Sequence, residues 1–269
     1  MLKIGVTGVT GRMGKEIVKI LVERNANKQD VVMTAAVAHA KSAFLQQDAA
    51  LLAGLPANEV LIEPTLDITE FEVLIDFSQI ESSLANLEYC VANNKAIVIG
   101  TTGFDTEQKN VIAQAAQKIP VVFAPNMSVA VNLSFHLLDV AARVIGDDTD
   151  IEIIEAHHKH KVDAPSGTAL RMGEVVADAL GRDLAECAIY GREGHTGARD
   201  PKTIGFSTIR AGSIIGDHTV MFADDSERLE ITHKSQSRST YANGSVRAAL
   251  WLSAQTAGLY DMQDVLGLR

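Results

Sequence analysis

The sequence predicts an α/β protein in which a Rossmann-like, mostly parallel sheet domain is joined to a second, α+β domain with a mixed or antiparallel sheet. Two observations support this prediction. Up to about residue 127, short apolar runs alternate with amphipathic helical segments, which is typical of parallel strands covered by helices. Beyond residue 128, several strand-like runs follow one another without helices between them, which favours antiparallel pairing.

The first β-α-β unit has the clearest pattern. Residues 2–7 form a short apolar run that ends at glycine, as a buried strand does. From Gly11 onward apolar residues recur at helical spacing, and residues 31–37 are β-branched and apolar. A strand, a helix and a strand in this order predict a parallel unit with a right-handed crossover.

The same alternation continues through the first domain. Apolar runs predict strands at residues 73–76, 96–99 and 121–124, and helical periodicity predicts helices at 82–93 and 105–118. Residues 41–66 are predicted to form a loop with a short helix.

The pattern changes in the second domain. A long apolar helix is predicted at 129–145, a strand at 150–157, a helix at 167–180, and consecutive strands at 203–211, 217–223 and 228–233. A last helix, 241–255, carries Val246, Leu250 and Trp251 on one side, which suits packing against the first domain. We therefore expect a discontinuous first domain, residues 1–127 and 238–269, and a second domain of residues 128–237.

Composition narrows the classes of function. The 269-residue chain carries a net charge of −10, which argues against nucleic-acid binding because that requires a basic surface. Its two cysteines lack metal-type spacing, so we expect reduced thiols. The first apolar run is short and is followed directly by Gly8, whereas a signal peptide has a longer apolar core. No apolar run reaches the ~20 residues of a membrane span. The sequence thus predicts a cytoplasmic protein without a membrane partner.

A glycine-rich turn follows the first strand, and its residues are Gly8-Val9-Thr10-Gly11-Arg12-Met13-Gly14. At the first βα turn, such a loop lets backbone N–H groups and a helix N-terminus approach a pyrophosphate. The spacing departs from the usual G-x-G-x-x-G because Thr10 stands at the middle glycine. A plain tight turn is the alternative, but the β-α-β context favours a dinucleotide site, where Arg12 would be placed to pair with a phosphate.

The end of the second strand bears on the choice of cofactor. An acid there usually binds a ribose 2′-hydroxyl, whereas a basic residue accommodates a 2′-phosphate. Ala38 and His39 stand there, and Asp30 precedes the strand and would lie at the wrong end. We therefore predict that NADPH is preferred over NADH, with His39 near the 2′-phosphate and Lys41 as a second candidate.

Two further loops follow predicted strands. They are Gly100-Thr101-Thr102-Gly103 and Ala124-Pro125-Asn126-Met127. Because ligands of open α/β sheets bind beside the carboxyl ends of strands, both loops are candidates for the nicotinamide end of the cofactor. Each loop taken alone would also fit an ordinary turn.

A histidine–lysine segment is the most distinctive local feature. Five consecutive basic or potentially basic residues, 157–161, lie in an acidic chain, followed by Ser166-Gly167-Thr168 at the start of a helix. A cationic segment beside a helix N-terminus suits a small cyclic dicarboxylate. A solvated basic face, a Schiff-base lysine, and a metal site of His157, His158 and His160 are the alternatives. The interleaved lysines and the absence of H-E-x-x-H spacing argue against metal, so no metal ligand is assigned.

These motifs resemble the 4-hydroxy-tetrahydrodipicolinate reductase family. The similarity rests on residues 8–14 and 100–103, and above all on the E-x-H-H-x-x-K-x-D-x-P-S-G-T stretch from Glu155 to Thr168. It continues through 204–206, 216–219, 230–234 and 242–244. The chain departs from many members at Ala38 and His39, where an acid followed by arginine is common, so the resemblance does not decide the cofactor preference.

The resemblance implies a dinucleotide-binding domain built from both chain ends and a central domain that binds substrate and assembles a homotetramer through its sheet. It assigns acid/base catalysis to His157 and proton donation to Lys161, and it places substrate contacts at His158, Gly167 and Thr168. We add Ser166, from the same turn, to the substrate-binding set. The expected cofactor contacts are Gly8, Val9, Thr10, Gly11, Arg12, Met13, His39, Gly100, Thr101, Thr102, Ala124, Pro125, Asn126 and Met127.

The resulting hypothesis is a reductase that delivers hydride from NADPH or NADH to an unsaturated ring, with loss of the 4-hydroxyl as water. Three alternatives remain at this point: a non-catalytic dinucleotide sensor, a metal-dependent hydrolase that uses the histidines, and a semialdehyde dehydrogenase. The dehydrogenase would need a nucleophilic cysteine. Cys90 lies within a predicted helix and Cys187 in a polar stretch, so neither suits that role.

Overall fold

The computed structural model describes residues 1–66 and 71–269. The chain divides into two units, the first comprising Met1–Val129 and Arg238–Arg269 and the second Ala130–Ser237. In chain order the elements are β1 (Leu2–Thr7), α1 (Arg12–Lys28), β2 (Val31–Val37), α2 (Ala49–Leu52), β3 (Ile62–Glu63), β4 (Val73–Asp76), α3 (Ile80–Ala92), β5 (Ala96–Ile99), α4 (Thr106–Ala115), β6 (Pro120–Phe123), α5 (Val129–Ile145), β7 (Asp150–His157), α6 (Gly167–Ala179), α7 (Leu184–Cys187), β8 (Ala188–Tyr190), β9 (Ile204–Arg210), β10 (Gly216–Ala223), β11 (Arg228–Ser235), α8 (Ser239–Leu252), β12 (Gly258–Tyr260) and α9 (Met262–Leu266).

The first unit contains a seven-stranded sheet in the order β12-β6-β5-β4-β1-β2-β3, and every neighbouring pair is parallel. Six of these strands follow the doubly wound order 3-2-1-4-5-6. The order reverses between β1 and β4, so a crevice opens at their carboxyl ends. The predicted Rossmann-like sheet is confirmed, and the edge strands β3 and β12 are additions that the sequence pattern did not indicate.

Apolar side chains on the two faces of this sheet form two separate cores. On one face Ile4 and Val6 pack with Ile17 of α1 and with α8. On the other face Leu74 packs among residues of α3 and α4 such as Leu87. Helices therefore cover both faces, as the apolar strands require, and the chain's last helices complete the first core.

The second unit contains a five-stranded mixed sheet in the order β11-β10-β7-β9-β8. Strand β10 runs antiparallel to β7 and β11, whereas β7, β9 and β8 are parallel neighbours. The predicted α+β class is confirmed. Side chains alternate along β7, so that Ile151, Ile153, Glu155 and His157 are buried. The apolar members of this set pack against α5 and α6.

Helix α5 is more apolar than a typical surface helix. With the 3-10 turn that follows it, residues 129–148 have the length and composition of a membrane span, and the mean hydropathy is 1.4. The sequence expectation that no apolar stretch is this long is therefore wrong by that criterion. A single such helix is weak evidence for a membrane, because core helices of soluble proteins have the same composition. Val131, Phe135 and Leu138 are buried in the core of the second unit.

Candidate functional site

The glycine turn between β1 and α1 allows unusually close backbone packing. Gly8 has a φ of 75°, and a Cβ there would come within 2.2 Å of the Phe77 carbonyl oxygen. A Cβ on Gly14 would lie 2.1 Å from the Gly8 carbonyl oxygen. Only glycine fits at these two positions, which gives the tight turn and close helix packing of a dinucleotide fingerprint. Gly11 caps α1 in an extended conformation, so the helix N-terminus opens at this turn.

Two cavities with shared walls lie beside this turn. Both are bordered by Gly11, Phe77 and Ser78. The first has a volume of about 490 Å³ and is lined by residues that include Thr7, Gly8, Thr10, Ala38, His39 and Asn86. The second has a volume of about 830 Å³ and is lined by residues that include Arg12, Met13, Gly100, Thr101, Thr102 and Gln108. The structure thus brings the glycine turn, the end of β2 and the loop after β5 to adjoining cavities, and their contact with a cofactor remains a prediction.

A buried carboxylate, Asp76, ties the loops around these cavities together. It ends β4 and has no exposed surface. Its Oδ1 accepts hydrogen bonds from Thr7, from Ser78 at 2.7 Å and from Asn86 at 2.8 Å, and its Oδ2 accepts one from Thr101 at 2.9 Å. The carboxylate therefore fixes the ends of β1, β4 and β5 relative to one another.

In the loop after β5, the side chain of Thr101 is engaged within the protein. The Thr101 hydroxyl donates to Asp76 and accepts from the Ser78 N–H at 3.1 Å, and the residue is 6% exposed. A Cβ on Gly100 would lie 2.2 Å from the Phe77 ring. Any contact of Thr101 with a cofactor is therefore expected from its main chain, and that contact stays a prediction.

The end of β2 carries no carboxylate on the cavity side. His39 borders the first cavity, and its Nδ1 accepts a hydrogen bond of 3.1 Å from the Lys41 N–H. In a neutral ring the proton must then lie on Nε2, which leaves Nε2–H as a donor. Glu63, at the end of the neighbouring strand β3, accepts from the Gln46 side chain instead. Asp30 lies before β2 and pairs with Arg24, as expected from its position.

Some predicted cofactor residues lie in the core or outside the two cavities. Val9 is buried, and its N–H donates to the Val37 carbonyl at 3.3 Å. Of residues 124–127, which follow β6, Ala124 and Met127 are buried, and the Asn126 side chain accepts from the Ser128 N–H at 2.9 Å. Neither cavity is lined by residues 124–127. Their contact with a cofactor remains a prediction.

In the second unit, His157 is held by a buried carboxylate. Glu155 precedes it by two residues on β7, so both side chains point to the same face. The Glu155 Oε2 lies 2.6 Å from the His157 Nδ1. Arg210 donates to both oxygens of Glu155 at 2.8 Å, and the Ser166 N–H donates to Oε1 at 3.0 Å. Although burial alone would raise the pKa of Glu155, the hydrogen bonds from Arg210, His157 and Ser166 lower it below its ordinary value.

A second histidine lies edge-on to His157. The rings of His157 and His218 are 5.0 Å apart. Burial, and then the charge of His157, lowers the pKa of His218 to about 3, so His218 is neutral at pH 7. Its Nε2 lies 3.0 Å from the Ser166 hydroxyl, which also caps α6 by accepting from the Ala169 N–H. The polar groups of Ser166 are thus engaged within the protein, and a direct role in substrate binding stays a prediction.

The other predicted substrate residues lie in the loop after β7 and at the start of α6. Lys161 forms an ion pair of 2.8 Å with Asp163, and this hydrogen bond lowers the pKa of Asp163. The rings of His158 and His160 lie 6.2 Å apart. A Cβ on Gly167 would meet no atom within 4 Å, so this end of the helix is open. An open helix N-terminus that follows a loop containing a lysine suits an anionic ligand.

Metal and cysteine chemistry find no support in the described residues. Within residues 1–66 and 71–269, no group of three or more histidine, cysteine or carboxylate side chains is arranged so that it could hold a metal ion. Burial raises the pKa of the thiols of Cys90 and Cys187, which makes both poor nucleophiles.

Sequence reasoning missed three residues of these sites. Asp76 could have been found from the sequence, because it ends a strand whose other residues are all apolar. An acid that is buried with such a strand requires hydrogen-bond partners. Arg210 and His218 stand in half-polar strands, where a pattern of alternation does not distinguish a functional side chain from a solvated one.

Two family models match the chain, one over most of each unit's sequence. The family model for the N-terminal part of dihydrodipicolinate reductase matches residues 2–127, and the model for its C-terminal part matches residues 130–266. The chain is 57% identical to 4-hydroxy-tetrahydrodipicolinate reductase of Pseudomonas fluorescens, over all of both chains. It is 58% identical to the enzyme of the same name from Methylococcus capsulatus, over 100% of this chain and 99% of that one.

A solved structure supports the fold. Dipicolinate-bound dihydrodipicolinate reductase from Paenisporosarcina sp. TG-14 superposes with a TM-score of 0.74 at 24% identity, and 98% of each chain is covered. These matches favour a reductase over the sensor, hydrolase and semialdehyde dehydrogenase alternatives. The chain belongs to the dihydrodipicolinate reductase family, now called 4-hydroxy-tetrahydrodipicolinate reductase.

Proposed function

We propose that this chain reduces 4-hydroxy-tetrahydrodipicolinate to tetrahydrodipicolinate with a nicotinamide dinucleotide, in the biosynthesis of diaminopimelate and lysine. The observation that carries the proposal is full-length identity of 57% to a reductase of that name, in a chain that retains the histidine–lysine segment intact. The substrate is a small cyclic dicarboxylate, which matches the cationic segment and the open helix end of the second unit.

A nicotinamide dinucleotide fits the first unit. Glycine at positions 8 and 14 permits the tight turn and the close helix packing of a dinucleotide fingerprint, and the N-terminus of α1 adds partial positive charge for a pyrophosphate. Arg12 and the main chain of residues 100–102 line the second cavity, where they would hold the rest of the cofactor. When bound, the reduced nicotinamide supplies the hydride.

Substrate binding is assigned to the α6 opening. Main-chain N–H groups of Gly167 and Thr168, with His158 nearby, would hold a carboxylate, as helix N-termini commonly do. Ser166 supports them by capping α6 and by donating its own N–H to Glu155.

Proton transfer is assigned to His157 and Lys161. Reduction leaves negative charge on the ring nitrogen or the adjacent carbon, and one of these two side chains supplies the proton. His157 is placed for this role because Glu155 holds its Nδ1, which leaves Nε2 for exchange. Lys161 is held by Asp163 at 2.8 Å, which keeps an ammonium donor in a fixed position.

The test is to incubate the purified protein with NADPH and the condensation product of pyruvate and aspartate semialdehyde, and to follow the loss of NADPH absorbance. We expect His157→Gln and Lys161→Ala each to lower kcat by at least ~10²-fold while NADPH still binds, since general acid catalysis contributes ~10²–10⁴-fold. The exposed neighbours provide matched controls, His160→Gln and Lys159→Ala, which should retain most activity. Near-full turnover in either test variant would disprove that residue's role, and absence of reduction in the parent chain would disprove the function.

NADPH is the cofactor we propose in preference to NADH. The support is the absence of an acid among Ala38, His39 and Ala40, together with the Nε2–H that His39 can offer to a 2′-phosphate. Comparison of kcat/KM for the two cofactors decides this point, and equal or better use of NADH would refute it. His39→Ala should weaken use of NADPH and leave use of NADH unchanged.

A cytoplasmic homotetramer assembled through the second unit's sheet completes the proposal. Helices α5 and α6 cover one face of this sheet, while Ile154, Thr219 and Met221 on the other face remain partly exposed. Two free thiols suit a reducing compartment. Light scattering coupled to size exclusion should give four times the chain mass, and a monomer at micromolar concentration would refute the assembly.

A further inference from the structure

The surroundings of His157 indicate how its ring is oriented. Glu155 is 1% exposed, and its Oε2 lies 2.6 Å from the His157 Nδ1. A carboxylate only accepts hydrogen bonds, so the Nδ1 of His157 must carry the proton. In the neutral ring Nε2 is then the basic nitrogen, and in the protonated ring Nε2–H is the donor.

Arg210 fixes Glu155 in turn. Arg210 pairs with His157 in the register of β7 and β9, and its two terminal nitrogens bind one oxygen each of Glu155 at 2.8 Å. One of these nitrogens also donates to the Asp163 carbonyl at 2.6 Å. A bidentate guanidinium neutralises most of the carboxylate's charge and prevents the side chain from rotating.

The remaining groups described around the ring come from β10, from β11 and from the loop after β7. From β10, the neutral His218 packs edge-on, and Gly216 leaves space where a Cβ would come within 3.0 Å of the His157 Nε2. His233 of β11 lies beyond His218 in the strand register, and burial lowers its pKa. Lys161, on the following loop, is paired with Asp163 at 2.8 Å. Glu155 is therefore hydrogen-bonded directly to the His157 ring, and Arg210 acts on the ring through Glu155.

We propose that Glu155 is a positioning residue that holds His157 in its Nδ1–H form, and that Arg210 moderates the charge with which Glu155 acts on the ring. The expected effect of Glu155 and Arg210 on turnover rests on the proposed function, because it requires His157 to transfer a proton. Their effect on the tautomer of the ring does not depend on that function, so the two effects can be tested separately.

The ring is examined by ¹⁵N NMR of histidine side chains across pH, with Glu155→Gln and Arg210→Gln as the variants. In Glu155→Gln a single amide oxygen serves Ser166 and Arg210, so the amide NH₂ faces His157. We expect the neutral ring to change to the Nε2–H form and its titration midpoint to fall by about 1 pH unit or more. In Arg210→Gln the carboxylate is unopposed, and we expect the midpoint to rise by a similar amount.

Loss of structure would shift the His157 midpoint in the same direction in Glu155→Gln and Arg210→Gln. Opposite shifts in the two variants would therefore indicate an effect of charge. Glu174→Gln is the matched control, since Glu174 forms an exposed pair with Arg171 in the same unit and should leave His157 unchanged. An unchanged tautomer in Glu155→Gln, or shifts in the same direction, overturns the proposal. If Glu155→Gln does not fold, the comparison of Arg210→Lys with Arg210→Gln decides, because only the second removes the charge. Equal midpoints in those two variants overturn it.

Turnover provides the second readout. We expect kcat of Glu155→Gln to fall on the order of 10²–10⁴-fold, because loss of an orienting carboxylate leaves a catalytic histidine in the wrong tautomer. The pH profile of kcat/KM should move in opposite directions in Glu155→Gln and Arg210→Gln. Changed NMR titrations with unchanged turnover would retain the positioning role and disprove the catalytic role of His157.

Discussion

Replacement of Asp76 tests how the cofactor loops are held. Its carboxylate accepts four hydrogen bonds in a site without exposed surface. Asp76→Ala removes the acceptor and leaves the hydroxyls of Thr7, Ser78 and Thr101 and the amide of Asn86 to find new partners. Asp76→Asn keeps the shape and one acceptor oxygen, removes the charge, and replaces the second oxygen with an NH₂ donor.

The expected magnitudes differ between the two variants. A buried donor without a partner costs about 1–3 kcal/mol, but Thr7 and Asn86 are 3.3 Å apart and can satisfy each other in part. We therefore expect Asp76→Ala to lower the free energy of unfolding of the first unit by about 4 kcal/mol, because the hydroxyls of Ser78 and Thr101 each lose an acceptor at about 2 kcal/mol. In Asp76→Asn the three bonds to Oδ1 change from charge-assisted to neutral, at about 0.5–1 kcal/mol each, which predicts a loss of about 2 kcal/mol.

Urea denaturation followed by circular dichroism measures these losses, and quenching or enhancement of NADPH fluorescence measures cofactor affinity. Because the carboxylate positions the ends of β1 and β5, we expect at least ~10-fold weaker NADPH binding in Asp76→Asn, which corresponds to about 1.4 kcal/mol. Glu23→Gln, at an exposed carboxylate on α1, should change neither quantity. An Asp76→Ala variant as stable as the parent, with unchanged cofactor affinity, would refute the role assigned to this carboxylate.

Three further predictions concern packing, pH and a surface loop. Gly14→Ala should cost about 1–3 kcal/mol in urea denaturation and weaken NADPH binding, since its Cβ would lie 2.1 Å from the Gly8 carbonyl oxygen; parent-like behaviour would contradict the close packing. His218 has a folded pKa of about 3 against 6.5 when unfolded, so its contribution is complete above pH 6.5 and is lost as pH falls toward 3. The free energy of unfolding should therefore drop by up to about 1.4 kcal/mol per pH unit in that window from this group, and His218→Gln should show a correspondingly shallower slope. Arg199 donates to two carboxylates and three carbonyls, so Arg199→Lys should cost about 1–2 kcal/mol, whereas the exposed Arg228→Lys should cost nothing measurable.

The elements that were predicted correctly from the sequence are determined by residues that lie close together in the chain. The strand at Leu2–Thr7, the glycine turn and the helix that follows are encoded locally, by an apolar run, by glycine and by helical periodicity. Strand β12, by contrast, has three residues and exists because it pairs with β6, more than a hundred residues earlier. Its local sequence, with a glycine, is indistinguishable from a loop.

The candidate sites show the same division. The histidine–lysine segment could be recognised in the sequence because five consecutive basic or potentially basic residues are unusual in a chain with a net negative charge. Arg210, which binds Glu155, and His218, which packs against His157, come from β9 and β10, and only the sheet register brings these strands to β7. Ser166 was predicted as a ligand residue from its place at a helix start, but its hydroxyl caps the helix and contacts His218. Sequence indicates which groups are unusual, whereas the contacts among them depend on tertiary pairing.

The split of the first unit across both ends of the chain has a consequence for synthesis on the ribosome. Helix α8 packs against α1 and the sheet, and β12 completes the sheet edge, yet both belong to residues 238–269. Until those residues leave the exit tunnel, one apolar sheet face lacks part of its cover, while residues 130–237 can already fold. A nascent chain that stalls shortly before Arg238 would therefore expose apolar residues of β5 and β6, such as Val98 and Val122, to chaperones, and the dinucleotide domain would be the last part of the protein to become protease-resistant.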